Sequence, residues 1–206
     1  MDNMEYYVAN ENKVISSNSI SQVDNRPKGI SIIKTYGENL TEKEYVTNPA
    51  IARDEEIMKA IMILLTPEKS AILVGKAGIG KTSIVEGIAY RIINNQVPDR
   101  LKGYQVIKIN SSSLIGTINN NGNNELAISI FVDEAKKLEK TIIFIDEIHT
   151  LIGAGSDGGP MDLANILKPV IDRGDVKIIG ATTDIEYNTY VVRDRAFLRR
   201  FDRVDV

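Results

Sequence analysis

The chain has 206 residues, 43% hydrophobic and 26% charged, with a formal net charge of −3, which suits one domain plus an appendage with a substantial core. That charge supplies no general attraction to nucleic acid or an anionic membrane, and no apolar run approaches the roughly 20 residues needed to span a bilayer. No cysteine and a single histidine, His149, exclude disulfides, thiolate sites, cysteine nucleophiles and multi-histidine metal centres.

Residues 1–13 are polar and acidic, unlike a signal peptide, so the chain reads as cytoplasmic. Residues 1–30 are rich in Asn, Ser, Asp and Lys and poor in large apolar side chains, a composition that predicts a flexible tail. A core domain over residues 31–206 follows. The Ile30-Ser31-Ile32-Ile33 run reads as a short strand or as a staple docked on the core. Apolar residues at Ile57, Ala60, Ile61, Leu64 and Leu65 recur at helical spacing. Strand-like and helix-like segments then alternate. Strands are expected at 71–74, 105–109, 141–145, 176–179 and 204–206, and helices at 81–94, 124–138, 161–173 and 194–200. Buried, β-branched strands alternating with helices predict an α/β fold, a parallel five-stranded sheet flanked by helices. The run Asn119-Asn120-Asn121-Gly122-Asn123-Asn124 reads as a polar solvent loop.

Between the first of these strands and the next helix lies Gly75-Lys76-Ala77-Gly78-Ile79-Gly80-Lys81-Thr82, which fits G-x-x-x-x-G-K-[ST] at every fixed position. Its glycines let successive backbone N–H groups curl around a phosphate, and the following helix, opening through Ser83, adds its positive dipole end. Lys81 can reach the outer phosphates, and the Thr82 hydroxyl can ligate Mg²⁺. Gly75 through Ser83 are therefore the candidate phosphate-binding residues.

The strand Thr141-Ile142-Ile143-Phe144-Ile145 ends in Asp146-Glu147. Two acids ending a strand are ordinarily a solvated turn. Downstream of a phosphate loop, Asp146 reads instead as the acid that holds Mg²⁺ opposite Thr82, and Glu147 as the group that polarises the attacking water. His149 follows; a lone histidine there reads as a structural hydrogen-bonding group. The next strand runs into Thr182-Thr183. Thr183, with Thr182 second, is the candidate for sensing the γ-phosphate, and capping a helix that starts near Asp184 is an equal alternative. Arg199-Arg200 either solvates a helix end or serves as an arginine finger supplied to a neighbouring subunit. Its place after the other motifs favours the finger.

The order and wording of these motifs resemble the first nucleotide-binding domain of the Clp AAA+ unfoldases, the ClpA, ClpB and ClpC type. The resemblance rests on the phosphate loop with Ile84-Val85-Glu86-Gly87, and on Phe144-Ile145-Asp146-Glu147-Ile148-His149-Thr150. It rests further on Gly153-Ala154-Gly155, Met161-Asp162, Asn165, Leu167-Lys168-Pro169, Gly180-Ala181-Thr182-Thr183 and Arg199-Arg200-Phe201. Upstream, Tyr36-Gly37, Asn39-Leu40-Thr41, Asn48-Pro49 and Arg53-Asp54-Glu55-Glu56-Ile57 resemble the family's entry segment, so the likeness spans residues 36–206. It implies the large subdomain of an AAA+ P-loop NTPase with the phosphate-loop strand central. It also implies ATP and Mg²⁺ as ligands, ADP as product, and hexameric rings with sites between subunits. Ile51 and Ala52 would flank the adenine, although the family usually carries glycine where Ala52 stands. A protein substrate or a protease partner is implied as well; against nucleic acid stand the net acidity and the absence of a basic stripe with interleaved aromatics, and against a membrane the lack of a long apolar run.

Two departures stand against that pattern. Where the family carries an aromatic residue in its pore loop, this chain offers Asn119-Asn120-Asn121-Gly122, with little apolar area to grip a threaded polypeptide. The family's helical lid would begin just after Val206, so the lid is expected to be absent, and self-association into a ring is expected if the lid is supplied. The main expectation is an ATPase core from a protein-remodelling chaperone, weak in isolation. The alternative is a nucleotide-responsive interaction module that no longer threads substrate.

Overall fold

The computed structural model describes residues 31–111, 124–152, 167, 169–172 and 176–206, with backbone alone at 124–129. The expected tail at 1–30, most of the helix expected at 161–173 and the asparagine-rich loop up to 123 lie outside the described residues. So do residues 153–155, Met161, Asp162, Asn165 and Lys168 of the resemblance.

All five expected parallel strands form. They are β2 (Ser70–Val74), β3 (Gln105–Asn110), β4 (Thr141–Asp146), β5 (Val176–Thr182) and β6 (Phe201–Asp205). A sixth, β1 (Gly37–Asn39), pairs antiparallel with β3 and extends the sheet beyond the expected five. Three residues are too few to show an alternation, which is why pattern alone passes over it. The order is β1-β3-β4-β5-β2-β6, so the phosphate-loop strand β2 is interior, between β5 and β6, but one place from the edge rather than central.

Alternate residues of the five parallel strands feed two separate cores. Ala71, Leu73, Ile142 and Phe144 face one side, packed under α2 (Asp54–Leu65) and α3 (Lys81–Ile93). Ile72, Val74, Ile143 and Ile145 face the other. There they meet α1 (Ile32–Tyr36), α4 (Asn124–Ala135), α5 (His149–Ile152) and α7 (Arg195–Arg200), with the helical turn α6 (Asp184–Glu186) lying beyond the end of β5. Apolar burial on both faces is the driving term for this layered arrangement.

Of the expected Ile30–Ile33 run, Ile30 lies outside the described residues, and residues 31–33 dock as a staple and do not form a strand. Ile32 and Ile33 are buried in the first turn of α1. The Ser31 side chain accepts from Lys34 N at 3.2 Å, and the Glu134 carboxylate of α4 accepts from Ile32 N at 3.1 Å and Ile33 N at 2.9 Å. Those bonds satisfy amides that a helix start leaves orphaned, and this decides for helix over strand. At the other end, Asp194 caps α7 by accepting from Ala196 N and Phe197 N, both at 2.9 Å. Phe197 then stacks on Phe201, with centroids 3.8 Å apart, and starts β6 three residues earlier than the apolar pattern suggests.

A strap from Leu40 to Ala50 holds α3 against the sheet. The Tyr45 hydroxyl donates to Leu40 O at 3.0 Å while its ring meets Tyr90 edge-on, and Lys43 pairs with Glu86 at 2.6 Å. Partial burial, with the Glu86 and Glu38 charges adding to it, pushes the Tyr45 phenol up to about 12. A phenol held neutral in the fold contributes stability that is complete below its unfolded value near 10 and is lost as pH rises through 12. In a 295 nm titration, Tyr45→Phe should therefore remove one phenol titrating near 12. It should also flatten the loss of stability above about pH 10. Titration of all tyrosines together near 10 would contradict this.

Gly87 of α3 marks the closest approach of the strap. A Cβ there would lie 2.6 Å from Ala50 Cβ and 2.8 Å from Ile57 Cδ1. Alanine gains about 1 kcal/mol of helix propensity, but overpacking against a rigid Cβ costs about 1–3 kcal/mol. Gly87→Ala should lower Tm by a few degrees in thermal denaturation, and an unchanged or raised Tm would show that the strap yields.

Candidate functional site

The carboxyl ends of β2, β4 and β5 converge on a cavity of about 460 Å³. The phosphate loop leaves β2 through Gly75, whose N–H donates to Thr182 O at 3.4 Å; a Cβ there would lie 2.6 Å from Val206 O. Gly78 and Gly80 take φ of +75° and +102°, left-handed values that favour glycine, and Gly80 is the N-cap of α3. The open space beside both leaves the loop's concave face to a ligand. Lys81 Nζ donates to the carbonyls of Gly75 at 2.8 Å and Lys76 at 2.9 Å, so the ammonium closes its own loop.

Across the cavity, Thr82 Oγ1 lies 3.4 Å from Asp146 Oδ2. Asp146 Oδ1 accepts from Glu147 N at 3.1 Å, and Glu147 occupies a bend with φ +52°, its side chain exposed toward the cavity. Thr183 reaches the same wall and also caps α6 by accepting from Glu186 N at 3.5 Å, so the capping arrangement and the cavity position coexist. Thr182 is 1% exposed and its hydroxyl lies 3.0 Å from His149 Nδ1, the structural bond expected of a lone histidine here.

Of the residues singled out by sequence, Ala77, Gly78, Gly80, Lys81, Thr82, Asp146, Glu147, Thr182 and Thr183 share this cavity. Gly75, Lys76, Ile79 and Ser83 flank it without lining it. Ile51, 78% exposed, and Ala52 stand outside its wall. Arg199 is exposed on α7, and Arg200 donates to Ala196 O at 3.2 Å; neither lines the chain's own cavity.

Two contributors escape sequence reasoning. Arg53 ties the entry segment to the phosphate loop, donating through Nη2 to Ile79 O at 2.9 Å and through Nη1 to Glu56 at 2.7 Å. Glu56 lies below the usual carboxylate range, first through its own backbone N–H and then through Arg53. Glu186 lines the cavity with a buried Oε2 that has no hydrogen-bond partner among the described residues. No motif marks either side chain; only the Arg-Asp-Glu-Glu wording of the entry segment hints at the first.

The donor set suits a hard cation that arrives with a polyphosphate. Mg²⁺ takes one or two protein oxygens and fills its octahedron with phosphate and water. Thr82 and Asp146 offer such a pair, while no cluster of three or more His, Asp or Glu side chains able to hold a metal occurs among the described residues. No described helix is long and apolar enough to cross a membrane.

The family model of the ATPase family associated with various cellular activities (AAA) matches residues 71–205, from β2 to the end of β6. A ClpB chaperone of Bacteroides thetaiotaomicron is 46% identical over 178 residues, covering 84% of this chain and 21% of that protein. A probable ATP-binding subunit of the ATP-dependent Clp protease from Chlamydia pneumoniae is 41% identical over 180 residues, covering 86% and 21%. Among solved structures, the S. cerevisiae Hsp104–ADP complex superposes with a TM-score of 0.72 at 38% identity, over 84% of this chain and 30% of that one. The chain belongs to the AAA family of ATPases, and its relatives there are Clp-type ATP-binding proteins. It spans about a fifth of the length of those curated relatives.

Ala52 has φ +59°, a left-handed value that favours glycine. A left-handed non-glycine residue costs about 1–2 kcal/mol, partly offset by glycine's greater unfolded-state entropy of about 0.4–1 kcal/mol. Ala52→Gly should hold or raise Tm by about 1–3 °C, and a clear drop in Tm would mean that the Ala52 methyl makes a contact worth more than its strain.

Proposed function

We propose that this chain is the ATP-binding and hydrolysing core of a Clp-like protein-remodelling chaperone. The observation that carries the reading is one cavity holding a glycine-cradled loop with Lys81, the Thr82–Asp146 pair at 3.4 Å and the Glu147 bend. The loop's N–H groups and the α3 N-terminus bind the β- and γ-phosphates of ATP. Lys81 exchanges its two carbonyl partners for phosphate oxygens. Thr82 and Asp146 would hold Mg²⁺, which would supply positive charge to offset that developing on the phosphates. Glu147 orients the attacking water and takes its proton, and Thr183 reports the γ-phosphate from the end of β5.

Arg199 and Arg200, away from their own cavity, suit a site in a neighbouring copy, where either can stabilise charge on the transferring phosphoryl. That arrangement calls for self-association, a hexameric ring by analogy with the Clp family, acting on protein substrates in the cytoplasm with ADP as product. Ile51 and Ala52 border the adenine. Residues 31–206 act as the catalytic core and 1–30 as an appendage. The second reading, an interaction module that responds to nucleotide without threading substrate, draws on the Asn119–Asn121 run in place of a gripping aromatic.

Mg²⁺-dependent ATP hydrolysis across a protein concentration series tests the proposal. Specific activity should rise with concentration and fall by about 10²-fold or more in Lys81→Ala. Glu147→Gln should lose turnover by about 10²–10⁴-fold while retaining nucleotide. Absent hydrolysis in a folded protein that still binds nucleotide supports the module, and robust turnover by a monodisperse monomer overturns the role given to Arg199 and Arg200.

A further inference from the structure

His149 carries no role in the hydrolytic scheme, yet it joins the two halves of the cavity wall that hydrolysis would use. The chain leaves Glu147 through a left-handed bend (φ +52°) that a non-glycine residue holds only when its surroundings enforce it. Each of the next three residues makes an enforcing contact. Ile148 is buried and donates its N–H to Ala181 O at 3.0 Å. Its side chain lies on bare Gly180, where an added Cβ would come within 2.9 Å of Ile148 Cδ1. Thr150 returns both N–H and hydroxyl to the Glu147 carbonyl, at 3.0 and 2.9 Å.

His149, between them, places Nδ1 3.0 Å from the buried Thr182 hydroxyl, while its ring stacks on Tyr190 with centroids 6.3 Å apart and planes 21° from parallel. Thr182 precedes Thr183 at the end of β5, and both line the cavity with Glu147. Tyr190 packs against the ring, the ring bonds the Thr182 hydroxyl, and stripping a buried hydroxyl of its partner puts an unfavourable term on the strand end that carries it.

We infer that His149 is a positioning residue for ATP hydrolysis, acting through Thr182 to hold the Thr183 end of β5 in fixed register with the Glu147 bend. The inference rests on the nucleotide-site reading above. It also divides the threonine pair: Thr182 is committed to His149, which leaves Thr183 as the member that faces ligand. A misplacement of about 1 Å between water-orienting and phosphate-sensing groups can cost up to about 10²-fold in turnover without touching binding.

The test uses His149→Phe, which keeps a ring for Tyr190 but removes the nitrogen, Thr182→Val, which removes the hydroxyl at constant shape, the double variant, and His149→Asn, which restores a polar atom near the Nδ1 position. For each, kcat and KM for ATP are measured, with Tm and the affinities for ADP and for ADP·beryllium fluoride, a γ-phosphate mimic. Each single variant should lower kcat by about 10-fold while ADP affinity stays within about twofold. The double variant should be no slower than the singles, because both break one link, and His149→Asn should recover much of the loss. Unchanged kcat with a lower Tm, additive losses in the double variant, or a parallel fall in ADP affinity overturns the inference in favour of a merely structural bond.

If the wild-type chain binds nucleotide without turning it over, the affinity ratio decides. Wild type should prefer ADP·beryllium fluoride to ADP, and His149→Phe should lose that preference; an equal preference in both overturns the inference. A folded wild-type chain that binds neither compound overturns the nucleotide-site reading, and this inference with it.

Discussion

Strands β2, β4 and β5 are buried almost end to end, and a strand buried on both faces has nowhere to place a polar side chain except at its ends. That constraint organises the molecule. Among the described residues the buried polar side chains are Ser70, Ser111, Thr141 and Thr182, all at or next to a strand terminus, while the apolar residues divide between two cores. Because the strands are parallel, their carboxyl ends share one edge. The register sets Val74 beside Thr182, Ile145 beside Gly180 and Asn110 beside Asp146. The phosphate loop, the acid pair and the threonine pair emerge within reach of one another because the apolar core admits none of them.

Left-handed backbone occurs beside this edge, and also away from it at Glu68, Asn95 and Lys140. Gly78 and Gly80 turn the loop through left-handed values at little cost, whereas Glu147 and Ala52 adopt them with a Cβ. Glu147 is held by bonds to β5 and by Thr150, so the strain there is tied to the strand that carries the threonines. Ala52 is followed at once by Arg53, whose guanidinium grips Ile79 O. The entry segment and the loop therefore meet through this bond, with left-handed residues beside it on both sides.

Much of this was legible from pattern. Continuous β-branched runs marked the five parallel strands, and three-four spacing marked α2. The loop wording marked the one stretch where a strand must give way to a helix through glycine. What escaped was what local sequence does not encode. Strand β1 is three residues whose conformation follows from pairing with β3. The Ile32–Tyr36 segment became a helix because Glu134, far along the chain, supplies acceptors to its first amides. The start of β6 moved to Phe201 because Phe201 stacks on Phe197 rather than continuing the helix.

The division at the site follows the same logic. Sequence alone determined which residue types were on offer: glycines and a lysine of the kind that suits phosphate, a threonine and an aspartate that suit a hard cation, and a glutamate that suits water. Those choices depend on residue type and spacing along a single strand–loop–helix unit. Only the tertiary structure decided which groups share a cavity and which do not, because sheet order sets the distance between strands remote in sequence. It placed Thr82 beside Asp146 and gave Thr182 to His149. It set Arg199 and Arg200 outside the cavity that their own chain forms, and brought Arg53 and Glu186 to places no motif assigns.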